Sequence, residues 1–329
     1  IVAKETIENI KQKPVGTGAF IFDSWTQGDR IELKKNDVYW GENAKLDKVI
    51  FKFISDPSAA FAAVMAEDVD VFRGFPSPEN LVQFEADSRF KVLKGSTEGE
   101  TILSTNNKMG PFRNLQVRKA LAHAINRKEI IDGVMFGYGT PIGSHFAPHH
   151  PAYLDLTGNS NYDPDLSKKL LAEAGFPDGF ETTLKLPPPA YARKGGEIIA
   201  AQLRQVGIQT VITNLEWSQW LEEVFRNKDF GLTIVAHTEP FDIGIYGRPD
   251  YYFQYDSKDF QEIMDSLTSE TDPKIRMDLL KKAQTMISND YVNGFLFQRP
   301  NLSVINAKVS GIWANSPTQA TDVTAVSWQ

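Results

Sequence analysis

The chain has 329 residues, with 35 basic and 42 acidic side chains, a formal net charge of −7 and no cysteine. That length predicts about two domains, and the mild acidic excess argues against nucleic acid or an anionic membrane as the main partner. The lack of cysteine removes disulfides, thiolate metal sites and cysteine nucleophiles together.

The first hundred residues read as strands with short turns. Phe20 and Phe22 alternate in Gly18 to Trp25, Ile31 and Leu33 in Asp29 to Asn36, and Val49, Phe51 and Phe53 in Asp47 to Ser55. Asp56 can cap a helix and Pro57 suits its first position, so a helix is expected over about Ser58 to Ala66. Val69 to Phe72 follows as a short strand. Strand, helix, strand suggests a crossover unit and a sheet that is at least partly mixed or parallel.

After Asn107 the texture turns helical, and this shift marks the expected domain boundary, near Asn107–Arg113. Val117, Leu121, Ala124 and Ile125 have helical spacing, and Lys128 to Met135 reads as a second helix. Leu166, Leu170, Leu171 and Ala174 form a stripe opened by Asp163-Pro164 and closed by Gly175. Strand and helix then alternate: strands Glu181 to Leu186, Gln209 to Leu215 and Phe230 to Ala236, helices Gly196 to Val206 and Ser218 to Arg226. A long helix over about Lys274 to Ser288 starts at Asp272-Pro273, and strands near Phe295 and Ser303 close the chain. The class is α/β.

Several segments, in order, resemble the family 5 extracellular solute-binding proteins, the dipeptide and oligopeptide-binding group. They are Pro14-Val-Gly-Thr-Gly-Ala-Phe20, Lys35-Asn-Asp-Val-Tyr-Trp-Gly41, Leu46 to Asp56 and Ala66-Glu-Asp-Val-Asp-Val71. They continue with Asn106-Asn107, Pro111-Phe112, Val117-Arg-Lys-Ala-Leu121, Ala124-Ile-Asn-Arg127, Tyr162-Asp-Pro164 and Leu170-Leu-Ala-Glu-Ala-Gly175. The resemblance implies a two-lobed clamp of the type II periplasmic-binding class. It also implies a longer parent chain, with an N-terminal portion that this sequence lacks. Residues 1–107 with 298–329 would form the first lobe and 108–297 the second, with a hinge near 107 and 297.

Candidate site residues divide between local reading and resemblance. Gly16-Thr17-Gly18 has no Lys-Ser/Thr after it and reads as a turn, not a phosphate loop. His237 to Asp242 leaves the C-terminal end of a strand, a common ligand position in α/β domains. There Glu239 and Asp242 could meet an ammonium group, or could be solvated turn acids. The resemblance assigns the amino-group partner to Asp242, although His-Thr-Glu-Pro-Phe-Asp departs from the family's usual pattern. By the same comparison Arg193, placed just before helix Gly196–Val206, could meet a ligand carboxylate, and Trp217 lies on the cleft side. Tyr246 follows the acidic loop, Phe75, Asn106 and Asn107 would supply the first lobe's side, and Gln298 lies near the return crossing.

The resemblance implies an importer's capture component that works with membrane permease subunits outside the cytoplasm, as a monomer, without a cofactor. Two other readings stand beside it. One is a hydrolase using Glu239 and Asp242 as paired carboxylates. The other is a metal-binding protein, using His149, His150, His237 and Asp242. A metal complex, an opine or an oligosaccharide remains open as ligand.

Overall fold

The computed structural model describes residues 2, 4–239, 241–315 and 321–329. The chain forms two compact units, Ile1–Gly95 with Asn301–Gln329 and Ser96–Pro300. Among the described residues no helix is long and apolar enough to cross a membrane.

In the first unit, strands Phe20–Thr26, Arg30–Lys35 and Lys48–Lys52 form an antiparallel sheet in sequence order. Helix Pro57–Met65 begins as the sequence indicates: the Asp56 carboxylate accepts from the Ala59 N–H, and Pro57 opens the helix. The expected crossover is not formed. Strand Val71–Phe72 lies in a different sheet from Lys48–Lys52 and pairs antiparallel with Val304 and Ile305. A helix between two strands fixes their proximity in sequence, not their membership of one sheet.

The second unit is built on a mixed sheet. Strand Leu232–His237 pairs antiparallel with the end of Phe90–Thr105 and parallel with Phe180–Leu186, which pairs parallel with Ile208–Asn214. Side chains alternate across the sheet, so the neighbours Ile102 and Leu103 enter opposite cores. On one face Leu103, Leu184 and Ile234 pack beneath helices Leu115–His123, Arg127–Met135, Pro164–Glu173 and Ala190–Gln205. On the other, Ile102 and Val235 meet Trp220, Phe230, Tyr246, Tyr252 and Phe260. Asn114, Asn126, Asp163 and Asp272 each cap a helix by accepting a backbone N–H.

Further elements differ from the sequence expectation. The helix expected at Gly196 begins at Ala190, so Arg193 lies inside it rather than before it. A Cβ at Gly196 would come within 2.4 Å of the Leu186 side chain, so the glycine allows the helix to lie close on its strand. The two closing strands are one, Asn293–Asn306, which runs through Pro300 although that residue has no N–H for the ladder. Strand Phe90–Thr105 gave no signal, because its Lys, Gly, Thr and Glu residues hide the strand until Ile102.

Candidate functional site

Strand Phe90–Thr105 carries Glu98 and Glu100 two residues apart, and hence on one side. Glu100 sits directly opposite His237, the last residue of Leu232–His237. Asp242 follows after a short loop and opens the turn Asp242–Gly247. The third contributor is the irregular segment around His145. It is anchored by Ser288, whose hydroxyl donates to the Gly143 carbonyl, and by Ser144, which donates to Gln284. Gly143 lies so close to Leu156 that a Cβ would fall 2.1 Å from its carbonyl carbon.

These elements bring four charged or titratable groups into one row. His145 Nδ1 lies 2.5 Å from Glu100 Oε1, and His145 Nε2 lies 2.7 Å from Asp242 Oδ1. His237 Nδ1 is 3.4 Å from Asp242 Oδ2, and its Nε2 is 3.1 Å from the Tyr252 hydroxyl. Glu100 and His145 side chains are 3% and 2% exposed, while Asp242 is 17% exposed, so only Asp242 gives the triad an outlet to solvent. The Glu100–His145 contact is close but not in line with the ring N–H, so charge attraction more than hydrogen bonding holds it.

An imidazole with a carboxylate close to each nitrogen favours the imidazolium, whose charge both carboxylates attract and whose Nε2–H can donate to Asp242. Burial pushes the His145 imidazolium down, but the Glu100 charge and the Asp242 hydrogen bond outweigh it and raise His145 to about 10. Burial raises Glu100 to about 7, and His145 offsets only part of that. Burial also pushes Asp242 up, but the hydrogen bonds from His145 and His237 hold it well below the ordinary carboxylate range. Two carboxylates therefore face one imidazolium, and the charge left over sits at Asp242. Tyr246 lies behind this row, edge-to-face with His145 at 5.4 Å between ring centroids.

A second pair lies beside the first. His149 Nε2 is 2.6 Å from Glu98 Oε1, with the imidazole 42% exposed. His150 stacks on Phe146 at 4.0 Å and meets the edge of Phe241, which is 80% exposed.

The sequence candidates divide by location. His237 and Asp242 are together, Glu239 is exposed nearby and accepts from the Thr238 N–H, and Tyr246 is fully buried behind them. Trp217 is exposed, edge-on to buried Trp220, whose indole donates to Thr233. Arg193 donates to the Leu215 carbonyl and pairs with Glu216. Asn106 donates to the Lys228 carbonyl, Asn107 to the carbonyls of Thr105, Phe253 and Val292, and Gln298 to that of Thr97. Phe75 is buried in the first unit against Phe72 and Phe84. Glu100 and His145 were absent from the sequence-derived set. Glu98-Gly-Glu100 lies in a strand that the pattern does not reveal, and His145 in a segment with no periodicity, so nothing local marks either residue.

Among the described residues, two sets of donor atoms lie close enough to share a cation: Glu100, His145 and Asp242, and His237, Glu239 and Asp242. In the first, His145 already fills that place with its own protonated ring. His149 and His150 belong to neither set.

The family model for bacterial extracellular solute-binding proteins, family 5 Middle, matches residues 1–261. Heme-binding protein A of Haemophilus influenzae is 27% identical over 302 residues, covering 86% of this chain and 54% of that protein. The dipeptide-binding protein of Escherichia coli is 26% identical over 303 residues, covering 86% of this chain and 55% of that one. The chain thus spans about half the length of these relatives. Among solved structures, the periplasmic binding protein DppA of Helicobacter pylori in complex with the peptide STSA superposes with a TM-score of 0.89 at 26% identity, over 100% of this chain and 68% of that one.

Proposed function

Since the chain belongs to the bacterial extracellular solute-binding proteins of family 5, we propose that the whole protein captures a peptide or related amine-bearing solute outside the cytoplasm and delivers it to the permease of an ABC importer. The supporting observation is the half-buried Asp242 carboxylate, kept ionised by two histidines and carrying the row's uncompensated charge. An ammonium group at such a carboxylate gains a charge-assisted hydrogen bond in a poorly solvated setting. Relatives named for dipeptide and peptide binding point to the same solute class. Residues 1–107 with 298–329 act as the first lobe and 108–297 as the second, with a hinge near 107 and 297. Capture rests on closure of the lobes, which a solute drives only as far as it prefers the closed state. The protein acts as a monomer and releases its ligand unchanged.

Calorimetry of the whole protein against short peptides tests this. One saturable site is expected, with no new product by mass spectrometry and a loss of affinity of about tenfold or more in Asp242→Asn. Multiple turnovers, or unchanged affinity in Asp242→Asn, would refute the assignment.

A further inference from the structure

We propose that Glu100, which is too deeply buried to be a direct solute contact, acts through His145 to set the net charge that Asp242 presents, so that a cationic head group is held there strongly only while Glu100 is ionised. This rests on the solute reading above and extends it to a positioning residue remote from the ligand. The geometry is a row of three: Glu100 at one end, His145 bridging at 2.5 and 2.7 Å, and Asp242 at the solvent end. With Glu100 ionised, the imidazolium is shared by two carboxylates and one negative charge remains for the solute. With Glu100 neutral, the same imidazolium cancels Asp242 and the attraction for a cation is lost. In a low-dielectric row this charge is felt several ångströms away.

The groups around Glu100 bear on how it titrates. His145 faces it from the anchored segment, while His237 and Asp242 face it from the strand opposite and the loop that follows. The hydroxyls of Tyr246, Tyr251 and Tyr252 lie on the same side, each held above the ordinary tyrosine range, mainly by burial, and so carry no charge near neutrality. Glu98 and His149 pair with each other, His150 stacks on Phe146, and the Arg299 guanidinium lies over the Tyr191 ring. Within the row itself, Glu100 is the group raised into the neutral range, to about 7.

Two measurements on the whole protein test the proposal. The first needs no ligand: side-chain ¹⁵N spectra of the histidines from pH 5.5 to 8.5. His145 should stay protonated on both nitrogens and show an inflection near 7 that disappears in Glu100→Gln. A His145 signal that loses a proton near pH 6.5 would overturn the proposal. The second is calorimetry with the peptide Ser-Thr-Ser-Ala and its N-acetylated form. For the free-amino peptide, the affinity ratio of wild type to Glu100→Gln should be about ten at pH 8 and approach one at pH 5.5, a typical coupling between sites. The acetylated form should show no such ratio.

Glu100→Asp keeps the charge and should restore the pH dependence. An equal, pH-independent loss in both variants would make Glu100 a packing residue and overturn the proposal. If Glu100→Gln does not fold, the wild-type inflection and pH profile decide alone. If neither peptide binds at any pH while the histidine spectra behave as expected, the charge-setting row is supported and the proposed solute class is what fails.

Discussion

Two carboxylate–histidine pairs hang from the same strand two residues apart. Glu98 with His149 and Glu100 with His145 have nearly the same separation, 2.6 and 2.5 Å. The first has an imidazole 42% exposed, while the second is almost excluded from solvent and shares its histidine with Asp242. Water can solvate His149 whether or not Glu98 is present. Neither Glu100 nor His145 has that alternative, so each depends on its partner. Distance alone would have ranked the pairs as equals; burial separates them and gives only the inner one a way to influence a neighbouring ligand.

The largest test of this contrast is His145→Ala. It leaves two carboxylates facing each other without a cation and should lower unfolding stability by about 3–5 kcal/mol, read from the urea midpoint. Next comes pH. His145 is held at about 10 against roughly 6.5 in the unfolded chain, so its contribution is complete below about 6.5 and is lost as pH rises through 10. Glu100, raised to about 7, acts in the same direction between about 4.3 and 7, because the unfolded carboxyl ionises first. Stability should therefore fall by about 2–3 kcal/mol from pH 7 to 9.5, and His145→Gln should flatten that slope. The smallest effect belongs to the outer pair: His149→Gln should change stability by about 0.5 kcal/mol or less. A cost as large as that of His145→Ala would break the comparison.

Much of the scaffold was readable because its signals are local. Asp56-Pro57, Asp163-Pro164 and Asp272-Pro273 each announce a helix start within two residues, and each cap forms. Strand Phe90–Thr105 was not readable, since its identity comes from pairing with residues far along the chain. The same division holds for the site. The loop His237 to Asp242 could be found because it leaves the end of a strand. Glu100 and His145 could not, because His145 meets its Asp242 partner across 97 residues of sequence and no spacing rule links them. Arg193 shows the limit of local signals: the helix expected from Gly196 begins at Ala190, and Gly196 instead lets it lie close on Leu186.

The contrast between the two pairs is tested most directly by a pair of double-mutant cycles in urea unfolding, Glu100→Gln with His145→Gln and Glu98→Gln with His149→Gln. The inner pair should show a coupling energy of about 2–3 kcal/mol and the outer pair about 0.5 kcal/mol or less. Equal couplings, or an inner coupling near zero, would contradict the claim that Glu100 and His145 form one buried charged unit with Asp242.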